Sequence, residues 1–121
     1  MLTSDRKGAI AEHAITFAAI KLGIDVYRPT FEGGRYDLIL DVGRLLRVQC
    51  KWAARQGDVL RVRCYSCRRS RTGMIRRCYT ADEVDAIAAY SPDLDRCYLL
   101  PIEMCAGHTQ IHLRLAPSRN N

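Results

Sequence analysis

Apolar and polar positions alternate with period two along Tyr36 to Asp41 and Leu45 to Trp52, which makes these runs the clearest strands of the chain. Val42-Gly43-Arg44 between them reads as a three-residue hairpin loop. That loop sets Asp41 opposite Leu45, Ile39 opposite Arg47 and Asp37 opposite Gln49. Lys51 then follows Gln49 on the same face, while Leu38, Leu40, Leu46, Val48, Cys50 and Trp52 form a core stripe on the other. A two-residue loop would set Asp37 opposite Val48 and split the polar group between faces; the apolar pattern permits either register, and the polar cluster favours the odd-length turn.

Residues 5 to 22 repeat with the helical period, with Ser4 as the expected N-cap and Gly23 just past the end. Ile10, Ala11, Ala14, Ile15, Ala18, Ala19 and Leu22 gather on one side, and Arg6, His13, Thr16 and Lys21 on the other. Glu12 falls on the border, where a carboxylate can lean toward a sheet edge without being buried unpaired. Val26 to Arg28 is a short strand closed by Pro29, and Phe31 to Gly34 a flexible loop. Val59 to Cys64 is expected as a third strand of the same meander, with Leu60, Val62 and Cys64 inward, and Tyr65 to Cys78 as a basic loop without periodicity. Thr80-Ala81-Asp82-Glu83 has the form of a capping box opening a helix through Tyr90, on the apolar stripe Val84, Ile87 and Ala88. Strands over Cys97 to Leu100 and Gln110 to Leu115 complete a single α/β domain spanning 1–121, a mixed central sheet flanked by helices.

The polar face of the hairpin carries the chemistry. An acid and an ammonium on one sheet face, with a carboxylate leaning in from a helix, suit a divalent metal and a phosphate. Asp37 would anchor the metal, Glu12 would hold it directly or through water, and the Gln49 amide oxygen and Cys50 backbone carbonyl would add neutral ligands. Lys51 would polarise a water or steady the phosphate.

Charge places a polyanion near that face. The chain has 19 basic and 13 acidic residues, a formal charge of +6, but the excess is concentrated. From Arg44 to Arg77 there are eleven basic residues and one acid, Asp58, so the remainder is slightly acidic. Arg61 and Arg63, on the outward face of a strand, are candidates for a nucleic-acid groove; Arg35, Arg68, Arg69, Arg71, Arg76 and Arg77 are candidates for phosphate contacts. No stretch approaches the roughly 18 apolar residues of a membrane span and the N-terminus lacks a signal-peptide core, so a cytoplasmic, nucleoid-associated location is expected. Six cysteines there read as reduced thiols. Cys64 and Cys67 have the spacing of half a zinc site, but no second close pair completes it, which argues against zinc.

Glu12 on the first helix, Arg35-Tyr36-Asp37-Leu38-Ile39-Leu40-Asp41 on a strand and Val48-Gln49-Cys50-Lys51-Trp52 on the next resemble the nuclease core of the PD-(D/E)XK superfamily. Within it the chain is similar to the small bacterial homing endonucleases associated with group I introns, a likeness that extends to Tyr79 through Asp85 and Asp95 through Pro101. Two departures stand out: Arg35-Tyr36 precedes the acid where the superfamily name has Pro, and Gln49 replaces the usual Asp or Glu. The resemblance implies Mg²⁺-dependent cleavage of double-stranded DNA, with Mn²⁺ as a substitute metal, by a homodimer or dimer of dimers. A Holliday-junction-resolvase-like nuclease shares this core, and a non-catalytic DNA-binding module is the reading from a different class.

Overall fold

A computed structural model describes residues 1–116. The first helix, α1 (Ser4–Lys21), is capped by Thr3, whose hydroxyl accepts from the Arg6 backbone N–H at 3.2 Å, one residue before the expected Ser4. It leads through Gly23, in the left-handed region at φ 79°, into β1 (Asp25–Tyr27). The hairpin of β2 (Leu38–Asp41) and β3 (Leu45–Trp52) has the expected odd-length turn. Asp41 pairs with Leu45, Ile39 with Arg47 and Leu38 with Val48. Gly43 at φ 95° supplies the one conformation in that loop that a side chain would resist. Regular pairing ends there: the Asp37 N–H donates to the Val48 carbonyl at 2.8 Å and the Cys50 N–H donates to the Asp37 carboxylate, so Asp37 lies beside Val48 to Cys50 just outside the ladder.

Beyond this hairpin the strand order departs from a simple meander. The neighbour of β3 is β8 (Ala86–Ser91), running parallel to it, and β9 (Arg96–Pro101) closes a mixed sheet ordered β1-β2-β3-β8-β9. The expected helix through Tyr90 is thus a strand. Thr80 and Glu83 do meet, the Thr80 hydroxyl donating to Glu83 Oε1 at 3.0 Å, but this is a side-chain contact in place of a backbone cap, and the N–H groups of Glu83 and Val84 on the Thr80 carbonyl close a single turn. The run Ala86 to Ala89 is buried throughout because both faces of β8 are covered. Ala86 and Ala88 face α1, and Ile87 and Ala89 face the opposite layer. A strand buried on both sides reads as a continuous apolar stretch, which helical and strand templates fit equally well.

The opposite layer is a second sheet, ordered β10-β5-β4, of β4 (Ala54–Gln56), β5 (Val59–Arg63) and β10 (Gln110–Arg114). Leu60, Val62 and Cys64 do point inward, but onto this sheet's core rather than into the meander of β2 and β3. The chain leaves the first sheet at the buried Ala53 and turns back at Gly57, φ 59°. The molecule is therefore a helix, a mixed sheet and a smaller sheet in three layers, with a second short helix α2 (Ile102–Cys105) after β9. The mixed sheet is as expected; helices on both faces are not, since α1 covers one face and strands cover the other. Of the apolar stripe on α1, Ala11, Ile15 and Ala19 are buried, while Ile10 and Leu22 remain exposed. No helix among the described residues is long and apolar enough to cross a membrane.

The segment Tyr65 to Cys78 is also a correction. It is a two-stranded ribbon, β6 (Tyr65–Ser70) and β7 (Gly73–Cys78), paired from Tyr65 with Cys78 to Ser70 with Gly73. Most of its residues are exposed, so no burial imposed a period-two apolar signal on the sequence.

One clamp fixes β8 against β3. Asp85 accepts from the Arg47 backbone N–H at 2.7 Å and from its guanidinium at 3.1 and 3.2 Å, while Arg47 also donates to the Asp82 and Ala81 carbonyls. Hydrogen bonds from Arg47 hold the Asp85 carboxyl below its ordinary pKa. A carboxylate depressed in the folded state contributes stability above its unfolded pKa and loses it as pH falls through the folded value. Asp85→Ala is expected to cost about 1–3 kcal/mol at neutral pH, because it strands the Arg47 donors. In urea titrations the gap between parent and variant should close as pH falls below the ordinary carboxylate range.

Candidate active site

Four sequence-predicted side chains reach one place by three different routes. Glu12 projects from the edge of the packed face of α1, Asp37 sits just before β2, and Gln49 and Lys51 share the polar face of β3. They line a single open cleft of about 610 Å³, whose walls also include Cys50, Trp52, Arg61 and Arg63. The α1 wall adds Ser4, Lys7 and Gly8.

The Asp37 carboxylate is fixed by the Cys50 backbone N–H, which donates to Oδ2 at 2.9 Å. Burial raises its pKa above the ordinary carboxylate value, and the nearby Glu12 pushes the same way, against the Cys50 hydrogen bond and the charges of Lys51 and Arg28. The site thus holds two neighbouring carboxylates, and burial is the main reason the charged form of Asp37 is disfavoured. Lys51 donates from Nζ to the Tyr65 carbonyl at 2.9 Å and lies 4.9 Å from the centre of the Tyr79 ring. Burial lowers its pKa, partly opposed by Asp37. Tyr79 beneath it is 3% exposed and its phenol is pushed up to about 12 by burial, so it presents a neutral aromatic face.

The donors offered to a metal are all oxygens: two carboxylates, the Gln49 amide and the Cys50 carbonyl. This is a hard set that fits Mg²⁺ or Mn²⁺ retaining several waters. The Cys50 thiol is not part of it, since its side chain packs among the core residues under α1 and burial raises its pKa. Among the described residues no three His, Cys, Asp or Glu side chains cluster around a common point, so two carboxylates would share the work with neutral donors. The Cys64-x-x-Cys67 pair is divided between environments: Cys64 is buried beside Cys105 and Cys67 is exposed on β6.

The candidate nucleic-acid contacts separate into three groups. Arg61 and Arg63 flank the main cleft as expected of the outward face of β5. Arg68 and Arg77 line a second cleft of about 420 Å³ that adjoins the first through Gln49. Arg69, Arg71 and Arg76 are exposed on the ribbon, with Arg76 stacked 4.9 Å from the Tyr65 ring centre. Arg35 also borders the second cleft but is heavily engaged within the chain. It lies 4.3 Å from the Tyr79 ring centre, donates to Ser66 Oγ at 2.6 Å and the Cys78 carbonyl at 2.8 Å, and pairs with Glu83. Its Nε is 3.0 Å from Glu83 Oε2 without a well-directed hydrogen bond.

Sequence reasoning missed one residue lining the cleft and two that touch its side chains from outside it. Lys7 lines the cleft from the first turns of α1, next to the row Ser4, Gly8, Glu12 whose four-residue spacing marks the helix side that faces the cleft. Arg28 comes in from the end of β1 and forms an ion pair with Glu12 that only tertiary structure reveals. Tyr79 as a platform for Lys51 carried no sequence signal at all, because the two are joined only by the fold.

A family model described as PD-(D/E)XK endonuclease matches residues 2–121. Among solved structures, the bacterial homing endonuclease I-Ssp6803I is similar at a TM-score of 0.81 and 28% sequence identity, covering 98% of this chain and 82% of its own. No curated protein gives a match in sequence.

Proposed function

The chain belongs to the PD-(D/E)XK endonuclease family, and we propose that this nuclease is metal-dependent and cuts double-stranded DNA at specific sites, in the manner of a homing endonuclease. The observation that carries the proposal is the meeting of Glu12, Asp37, Gln49 and Lys51 in one cleft flanked by Arg61 and Arg63. Glu12 and Asp37 would hold Mg²⁺ or Mn²⁺, with Gln49 and the Cys50 carbonyl completing the protein's share. When bound, the ion supplies an activated water and offsets charge on the phosphoryl oxygens. Lys51 places its ammonium beside that charge, steadied by the Tyr65 carbonyl and the Tyr79 face. Arg61 and Arg63 hold the neighbouring backbone, and the ribbon arginines carry the duplex beyond the cleft.

One such cleft per chain attacks one strand, so a double-strand break calls for a homodimer or a dimer of dimers. Incubating the protein with a random duplex library and Mg²⁺, then sequencing the ends, tests the reading. Recurrent ends at one sequence are expected. Cutting confined to branched junctions would replace site specificity by structure selectivity, and no cutting with Mg²⁺ or Mn²⁺ would leave a DNA-binding module.

A further inference from the structure

Arg28 sits immediately after β1 and crosses to α1, where its guanidinium donates to Glu12 Oε1 and, at 3.1 Å, to Thr16 Oγ1. Thr16 in turn donates to the Glu12 carbonyl at 2.8 Å, so Arg28 spans one turn of the helix and grips both residues. This arginine is not spent on the core, since its side chain is 41% exposed. The cleft that Glu12 lines contains a second carboxylate, Asp37, and the nearby ammonium of Lys51 is already committed to the Tyr65 carbonyl. Arg28 therefore supplies positive charge directly at the Glu12 carboxylate.

From this arrangement we propose that Arg28 is a positioning residue which occupies the Glu12 carboxylate in place of the metal and releases it when the metal enters. The inference rests on the reading of the cleft as a metal centre and concerns what controls access to it. A guanidinium and a divalent cation compete for the same oxygen, because the incoming charge repels the arginine as it draws the carboxylate. Freed from Glu12, Arg28 keeps its backbone position just after β1 and turns to the solvent side, where a backbone phosphate would lie. Positive charge is thus handed from arginine to metal at the carboxylate, and the arginine becomes available to the substrate only once the metal is in place. Such an exchange disfavours metal loading relative to a cleft without Arg28, and substrate repays the difference by giving the guanidinium a new anion.

Titrating Mn²⁺ into the metal-free, DNA-free protein, followed by paramagnetic resonance of the free ion, reads this exchange without any cleavage step. Arg28→Gln is expected to bind Mn²⁺ about 2- to 5-fold tighter than the parent, the scale of a partly exposed ion pair. Arg28→Lys, which keeps the charge, should stay close to the parent. Thr16→Val, which removes one tether while leaving Arg28 in place, should move affinity in the same direction by less, and decides the matter if Arg28→Gln does not fold. A merely structural role predicts the opposite sign, since a loosened cleft would bind more weakly. Equal or weaker Mn²⁺ binding by Arg28→Gln, with binding by the parent abolished in Asp37→Asn, would overturn the exchange and leave the metal centre standing. No Mn²⁺ binding by the parent, or binding indifferent to Asp37→Asn, would remove the metal centre and this inference with it.

Discussion

Asp37→Asn is expected to lower DNA cleavage by about 10²–10³-fold or more while making the metal-free protein more stable. Both effects come from the same carboxylate. Asp37 is half-buried, accepts a hydrogen bond from the Cys50 N–H and faces Glu12, and burial raises its pKa. A carboxylate whose pKa is raised on folding binds its proton more tightly in the folded state, so stability falls as pH rises through that shifted value. At neutral pH the charged form is a cost to the empty protein. Asparagine retains an acceptor for the Cys50 N–H and removes the charge, with an expected gain of about 0.5–2 kcal/mol in a thermal or urea melt. The same change removes the anionic anchor of the metal, so activity and stability move in opposite directions. A loss of both would mean instead that Asp37 serves the fold.

The second large effect belongs to the ribbon. Replacing Arg69, Arg71 and Arg76 together with serine is expected to weaken duplex binding about 100-fold at moderate salt and to reduce the slope of log affinity against log salt by about 2–3. These residues are exposed on β6, β7 and their connecting turn, away from the core clusters, so the melting transition should stay close to that of the parent. A two-stranded ribbon also has a width that the major groove of DNA admits. Arg76 packs against Tyr65, and Tyr65 gives its carbonyl to Lys51, so the ribbon's base and the cleft share a hydrogen bond. If the triple variant binds duplex like the parent with an unchanged salt slope, the ribbon is not the DNA contact.

What the sequence disclosed divides along burial. The hairpin of β2 and β3 has one buried and one polar face, so its strands were legible in the alternation of residues, and the polar cluster selected the odd-length turn that sets its register. Glu12 was legible as a helix-border acid, because Ala11, Ile15 and Ala19 define the packed face beside it. Two other segments gave misleading patterns for opposite reasons. Ala86 to Ser91 is almost wholly buried and has no alternation to show, and a single turn closed on the Thr80 carbonyl preceded it. Tyr65 to Cys78 is largely exposed on both faces, and its strands are set by backbone pairing rather than by a core. Arg28 and Tyr79 were out of reach, since an ion pair to Glu12 and a ring under Lys51 are products of strand order, and the parallel placement of β8 beside β3 was itself not visible in the residues. The likeness to the nuclease superfamily carried the functional expectation across these errors because its motif lies on α1, β2 and β3, the part read correctly.

The claim that Glu12, Asp37, Gln49 and Lys51 form a metal-dependent nuclease centre is tested most directly by nicking of supercoiled plasmid, comparing the parent with Lys51→Ala after both are shown to be folded. The parent should cut with Mg²⁺ and stop on chelation, and Lys51→Ala should be slower by about 10²-fold or more at saturating metal. Cutting by Lys51→Ala at the parent's rate, or cutting by the parent undiminished by chelator, would contradict the account.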